Sequence, residues 1–127
     1  MPMIEVSNGE VIDRFTILVI KLRMVKNELA KKNIEAEIEV LTPIVRKIWD
    51  MDDKIIFLDL KLFDINKKLW NVEDELRIHE KHLLFDDEFV RLARSVYKLN
   101  DERAKLKREI NEITNSNIVE EKLYEQY

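Results

Sequence analysis

The stretch DKIIFLDLKLFDINKKLWNVEDELRIHEKHL, residues Asp53 to Leu83, decides the fold. Within it Ile55, Leu58, Leu62, Ile65, Leu69, Val72, Leu76, His79 and Leu83 recur at alternating spacings of three and four. A heptad seam held for about four heptads marks one long helix laid against another. It predicts helix three over 53–83. The extra apolar residues Ile56, Leu60 and Phe63 predict that its first half is the more enclosed.

Working outward, the partner of this helix follows it in the chain. Leu84-Phe85-Asp86-Asp87 reads as a turn, with Asp86 placed to cap helix four over 86–114. There Phe89, Leu92, Val96, Leu99, Leu106, Ile110 and Ile113 form the matching seam, and Arg103 is its one polar member. The turn makes helices three and four an antiparallel hairpin. Residues 115–127 form a tail in which Asn117-x-x-Glu120 predicts a short capped helix.

Toward the N-terminus, Ser7-Asn8-Gly9-Glu10 has the form of a capping box, with Val6 and Val11 as its hydrophobic staple. Helix one is expected over 7–31. Val11, Phe15, Leu18, Leu22, Val25 and Leu29 line one side, while Ile17, Ile20 and Met24 lie nearly opposite. A helix apolar on two sides has to be covered on two sides, within the bundle or by another subunit. Asn33 is placed to cap helix two over 33–50, where Thr42-Pro43 predicts a kink or a restart. The reading is therefore all-α: one domain over 1–127, an antiparallel bundle built on a helix-three/helix-four hairpin, with a capped N-terminal helix packed on it.

Composition agrees with few long elements. The chain has 127 residues, 46% hydrophobic and 38% charged, with one glycine and two prolines, so turn formers are scarce. It has no cysteine, which excludes disulfides and thiolate chemistry and suits a reducing, cytoplasmic setting. Net charge is −4, so the total charge attracts neither nucleic acid nor an anionic membrane. The longest apolar run, Ile17 to Ile20, is too short to span a bilayer, and no signal peptide is expected. A 30-residue helix is about 45 Å long, against a radius of gyration of about 14 Å for a compact domain of this size. The hairpin is expected to project, and with the two-sided first helix this favours a homodimer.

Several long stretches stand out: Ser7-x-Gly9-Glu10-x-x-Asp13-Arg14-x-Thr16-Ile17-Leu18-x-Ile20-Lys21, Leu69-Trp70-x-x-Glu73-Asp74, the run from Phe89 through Arg103-Ala104-x-Leu106-Lys107-Arg108 to Asn111, and Val119-Glu120-Glu121-Lys122-x-Tyr124. Together they resemble a family of short helical proteins of unknown function found in bacteria and in phages. Leu123 departs from the pattern, which leads one to expect serine there. The resemblance implies a helical fold and carries no catalytic residue.

Three constellations are candidates for chemistry. The first is a mid-bundle polar pocket of Asn66, Trp70, Glu73 and Arg77 on helix three with Tyr97, Asn100, Arg103 and Lys107 on helix four. The competing reading is an ion-paired network that fixes helix register. The second is Glu10, Asp13, Arg14 and Lys21 on helix one. Asp13 stands among isoleucine and methionine and is expected to pair with a lysine or arginine from another helix or subunit. The third is a basic face, Arg91, Arg94, Lys98, Lys105 and Arg108, which would suit phosphate but also reads as a solvated surface. His79 and His82 lack a metalloenzyme spacing, so neither metal nor cofactor is expected.

The leading expectation is a non-enzymatic helical interaction protein that forms homo-oligomers. The alternatives are a small helical enzyme or binding protein for an anionic metabolite at the charged pocket, and a phosphate or nucleic-acid binder through helix four. A protein partner fits the first reading; a membrane or nucleic acid is not expected.

Overall fold

The computed structural model describes residues 1–127 and contains four helices and no strand. They are α1 (Asn8–Met24), α2 (Glu28–Trp49), α3 (Lys54–Lys81) and α4 (Asp87–Ile113). No helix is long and apolar enough to cross a membrane.

The α3–α4 hairpin is the scaffold, because the two matching seams pack along each other. The Asp86 carboxylate accepts from the Phe89 amide at 2.9 Å and starts α4 as expected. Two left-handed residues, Leu83 at φ 52° and Asn115 at φ 50°, close α3 and α4. Asparagine tolerates that conformation, whereas Leu83 holds it at a cost of about 1 kcal/mol. α1 lies against all three other helices, and α2 packs on α1 while touching α3 little. The two apolar sides of α1 are thus covered within the chain. Ile12 and Ile20 are buried, and only Met24 at its end is exposed.

The core collects at one end of the hairpin. Val11, Ile12, Val45, Ile48, Ile55, Leu58, Leu62 and Ile110 form one cluster, with Val6 packed against it as the staple predicts. The Trp49 indole N–H donates to Asp59 at 2.8 Å and ties α2 to α3. Burial pushes the Asp59 carboxyl up, partly offset by that bond.

Three expectations, the end of α1, the start of α2 and a helix in the tail, are corrected. α1 stops at Met24, not Lys31, and α2 starts at Glu28, not after Asn33. Val25 is extended, and the Asn27 side chain accepts from the Ala30 amide at 3.0 Å, so Asn27 is the cap that wins. Of the kink or restart expected at Thr42-Pro43, the restart does not occur: α2 runs on through Pro43, and the Thr42 hydroxyl donates to the Ile38 carbonyl instead of capping. Residues 117–127 are not helical; their side chains bond to α4 and to the start of α1 rather than to one another. The first half of α3 is the more enclosed along its seam, as expected, although Ile56 and Leu60 are 49% and 62% exposed where α2 touches α3 little.

Candidate functional site

The polar residues that come together do so where the start of α1 meets the end of α4. Ser7 caps α1, its hydroxyl accepting from the Glu10 amide at 3.1 Å. The reciprocal half of the capping box does not form, since Glu10 turns outward to Lys107 at 2.7 Å and to Arg14 at 3.4 Å. The other free amides of the first turn also find side chains. The Asn8 amide donates to Ser116 at 3.1 Å and the Gly9 amide to Asn111 Oδ1 at 2.7 Å. A helix N-terminus attracts anions when its amides are unsatisfied. Here the chain's own side chains fill that place.

Gly9, the only glycine, is where the two helices touch. A Cβ built on it would lie 2.4 Å from the Lys107 carbonyl oxygen and 2.9 Å from Asn111 Oδ1. Any larger residue pushes α1 away from α4, so glycine here serves close approach rather than an unusual backbone angle.

One turn further along α1 sits Asp13, whose residue is 1% exposed. Arg103 grips it with two bonds, Nε to Oδ1 at 2.9 Å and Nη2 to Oδ2 at 2.5 Å. Such a forked pair is the strongest geometry open to this couple. Hydrogen bonding to Asp13 raises the Arg103 guanidinium above its ordinary value, against the opposing effect of burial. The Asn66 amide donates to Asp13 Oδ1 at 2.9 Å and to the Thr16 hydroxyl at 2.8 Å, and that hydroxyl donates to the Asp13 carbonyl. Lys107 Nζ stands 3.9 Å from the same carboxylate. Three helices are thereby fastened at one buried acid.

The tail completes the cluster. The Glu120 carboxylate takes the Ser7 hydroxyl and, at 3.0 Å, the Asn111 amide. Burial works to raise the Glu120 carboxyl, yet these bonds, a backbone amide and nearby Lys107 bring it below its ordinary value.

The first and second candidate constellations therefore merge, but only in part. Asn66, Asn100, Arg103 and Lys107 join Glu10 and Asp13, with Asn100 accepting weakly from Arg103 at 3.5 Å. Trp70 is half-buried without a polar partner, and Glu73 and Arg77 are exposed and unpaired. Tyr97 instead packs against Tyr127, with ring centroids 5.1 Å apart and the rings inclined by 60°. The reason is reach: α1 spans about 26 Å and covers only the end of the hairpin that carries Asn66 and Arg103. Arg14 pairs only with Glu10, and Lys21 is exposed.

On the basic face, acids interrupt the stripe. Arg91 pairs with Glu88, and Arg108 with Glu112 and Glu121. Lys105 lines a groove between α3 and α4 with Lys61, Asp64, Lys68, Glu102 and Glu109. Arg94 and Lys98 line a shallow depression with Asp87, Val90, Arg91 and Ser95. Near the turn, His79 Nδ1 lies 2.9 Å from the Glu75 carbonyl and its Nε2 3.6 Å from Asp86. No group of three potential ligands is placed to hold a metal ion.

The sequence reading missed Thr16, Asn111, Ser116 and Glu120 as members of this cluster. Asn111 had a readable signal, since it stands beside the α4 seam in a helix where asparagine is a weak former. At Asp13 the cluster is closed. Every buried side-chain nitrogen and oxygen in the chain has a partner. A general base must be reached by the proton it removes, and the Asp13 carboxylate is 2% exposed. The arrangement locks helices together.

Three of the four stretches that carry the resemblance include most members of this lock: Ser7, Gly9, Glu10, Asp13 and Thr16 in one, Arg103, Lys107 and Asn111 in another, and Glu120 in the tail, while Asn66 and Ser116 lie outside them. No curated protein and no solved structure matches the chain. A family model described as "Family of unknown function (DUF6165)" matches residues 2–127, and the chain belongs to that family.

Proposed function

We propose that this chain is a homo-oligomeric helical interaction protein, the dimer being the favoured form. One observation carries the reading. The chain exposes 9396 Å², whereas a compact monomer of its mass exposes about 7,100 Å². The surplus of roughly 2,200 Å² exceeds the ~800 Å² per partner of a standard interface. Part of it is apolar: Phe57, Leu60, Ile78, Leu84 and Phe85 are each at least half exposed. Single exposed apolar residues are ordinary, but several on one hairpin point to a partner surface.

The enzyme reading loses support because its pocket residues are either engaged in the lock or dispersed along the open half of the hairpin. The buried polar cluster serves the interaction reading by holding the hairpin in one orientation toward its partner. We place the protein in the cytoplasm, on the lack of cysteine, and among bacteria and phages, on the resemblance.

Sedimentation velocity over a dilution series tests this. The expected result is a dimer that dissociates on dilution. A monomer at every concentration would overturn the reading.

A further inference from the structure

The outward face of α3 carries a second heptad seam. Phe57, Leu60, Asp64, Lys67, Asn71, Asp74 and Ile78 follow one another at spacings of three and four. All of them are exposed except Lys67, which is half-exposed. Large apolar residues stand at the two ends and polar ones in the middle. The first end holds Ile56, Phe57 and Leu60 and the second holds Ile78; beyond the helix the turn carries Leu84 and Phe85, and all six are 49% exposed or more.

Charge changes sign between the halves. Lys54, Lys61, Lys67 and Lys68 outnumber the acids Asp59 and Asp64 before Asn71. After it Glu73, Asp74, Glu75 and Glu80 outnumber Arg77 and Lys81. Asp64 and Lys68 pair with each other at 3.1 Å, but neither Lys67 nor Asp74 has an ion-pair partner within the chain.

We propose that α3 is a homodimer interface in which two copies pack antiparallel about a two-fold axis near Asn71. This rests on the homo-oligomer reading and names its surface. An isologous contact requires a self-complementary patch, each half matching the other. Turning α3 end for end about a point between Trp70 and Asn71 does this. Lys67 comes opposite the partner's Asp74, and the cationic first half lies along the acidic second half of its neighbour. Phe57 comes opposite the turn that carries the partner's Leu84 and the partner's Phe85. Complementary charge of this kind sets orientation and register, and the apolar ends supply the area. A lipid surface does not fit, since the charged centre of the seam would enter the bilayer with it. The surplus exposed surface suffices for a stable contact of this kind.

The chain has no cysteine, so one introduced thiol reports cleanly. Asn71→Cys is expected to give a covalent dimer under mild oxidation, because the two copies of this position meet at the axis. Glu35→Cys, on the exposed side of α2, is expected to stay monomeric on a non-reducing gel. Lys67→Glu and Asp74→Lys, each at a position outside the core, are each expected to weaken dimerisation roughly tenfold while helicity by circular dichroism is kept. Combining the two is expected to restore it. A wild-type dimer indifferent to both charge reversals, with no crosslink at position 71, would overturn this interface and leave the homo-oligomer reading standing. A monomeric wild-type chain would overturn both.

Discussion

The two halves of α3 share one periodicity and have different fates. From Ile55 to Leu69 every seam residue is buried, and α1 closes over the hairpin through Asn66. From Val72 to His79 the seam residues are only half-buried, and Leu83 is exposed. On the facing helix Leu92 is the only fully buried residue between the turn and Ile110. A heptad seam specifies that one helix meets another. What lies over the pair is set by other elements, here a 17-residue α1 that covers one half and not the other. The covered half has a reason to be rigid and the open half has surface to offer.

The comparison is broken most severely at Asp13. Replacing it by alanine takes the carboxylate from the part-buried Arg103 guanidinium and one of the two acceptors from the buried Asn66 amide. Truncating one partner of a buried pair costs about 3–5 kcal/mol. Asp13→Ala is expected to lose that much in urea unfolding, enough to unfold a marginal domain. Glu73→Ala, in the open half, is expected to stay within about 0.5 kcal/mol of wild type. Equal effects would mean that the lock does not distinguish the halves.

The seam itself sharpens the contrast. Leu62 is 0% exposed and belongs to the main cluster, so Leu62→Ala is expected to cost about 2–5 kcal/mol. Leu76 occupies the same heptad role but is half-exposed. Less area leaves water and the cavity is open, so Leu76→Ala is expected to cost less than half as much. Equilibrium unfolding of both variants at low concentration checks the ratio. A Leu76 effect as large as that of Leu62 would place a covered core in the distal half of the monomer.

Much of this was legible in the residues, for physical reasons that can be named. The hairpin was readable because a four-heptad seam and the Asp86 cap agree. The Ser7 cap was readable because hydroxyl, glycine and staple stand at fixed offsets. The α1–α2 break was misplaced by six residues because it contains neither glycine nor proline. Two asparagines, Asn27 and Asn33, compete there as caps, and only tertiary packing decides between them. At the site, Asp13 among isoleucines and Arg103 within a leucine seam were each conspicuous as a charge in an apolar row. Their pairing required knowing that α1 runs beside the last turns of α4. The outlying members, Trp70, Glu73, Arg77 and Tyr97, share a face with Asn66 or Asn100, but face-sharing says nothing about how far along it a third helix reaches.

The smallest effect concerns the tail, the only segment that lies along the outer edge of α4 into its open half. Its contacts grade outward from Glu120 in the lock, through Glu121 on Arg108 and Lys122 on Asp101, to Tyr127 on Tyr97. Hydrogen bonding to Lys122 and Tyr127 lowers the Asp101 carboxyl, and Arg108 lowers that of Glu121. Hydrogen bonding to Asp101, aided by burial, pushes the Tyr127 phenol up to about 12. The signs fix a window. Carboxyls with lowered folded values stabilise the clasp above their ordinary values, 3.8 for Asp101 and 4.5 for Glu121, and lose that contribution as pH falls through the folded ones. The raised phenol contributes fully below its ordinary 10.0 and loses its contribution as pH rises through about 12. Spectrophotometric titration at the phenolate band is therefore expected to show one of the three tyrosines ionising near 12. Asp101→Asn removes the charge and weakens the acceptor, so that step is expected to fall back toward 10 while circular dichroism at neutral pH is unchanged. If the late step persists in Asp101→Asn, the tail does not lie on α4 in this register, and the outer edge of the open half is bare.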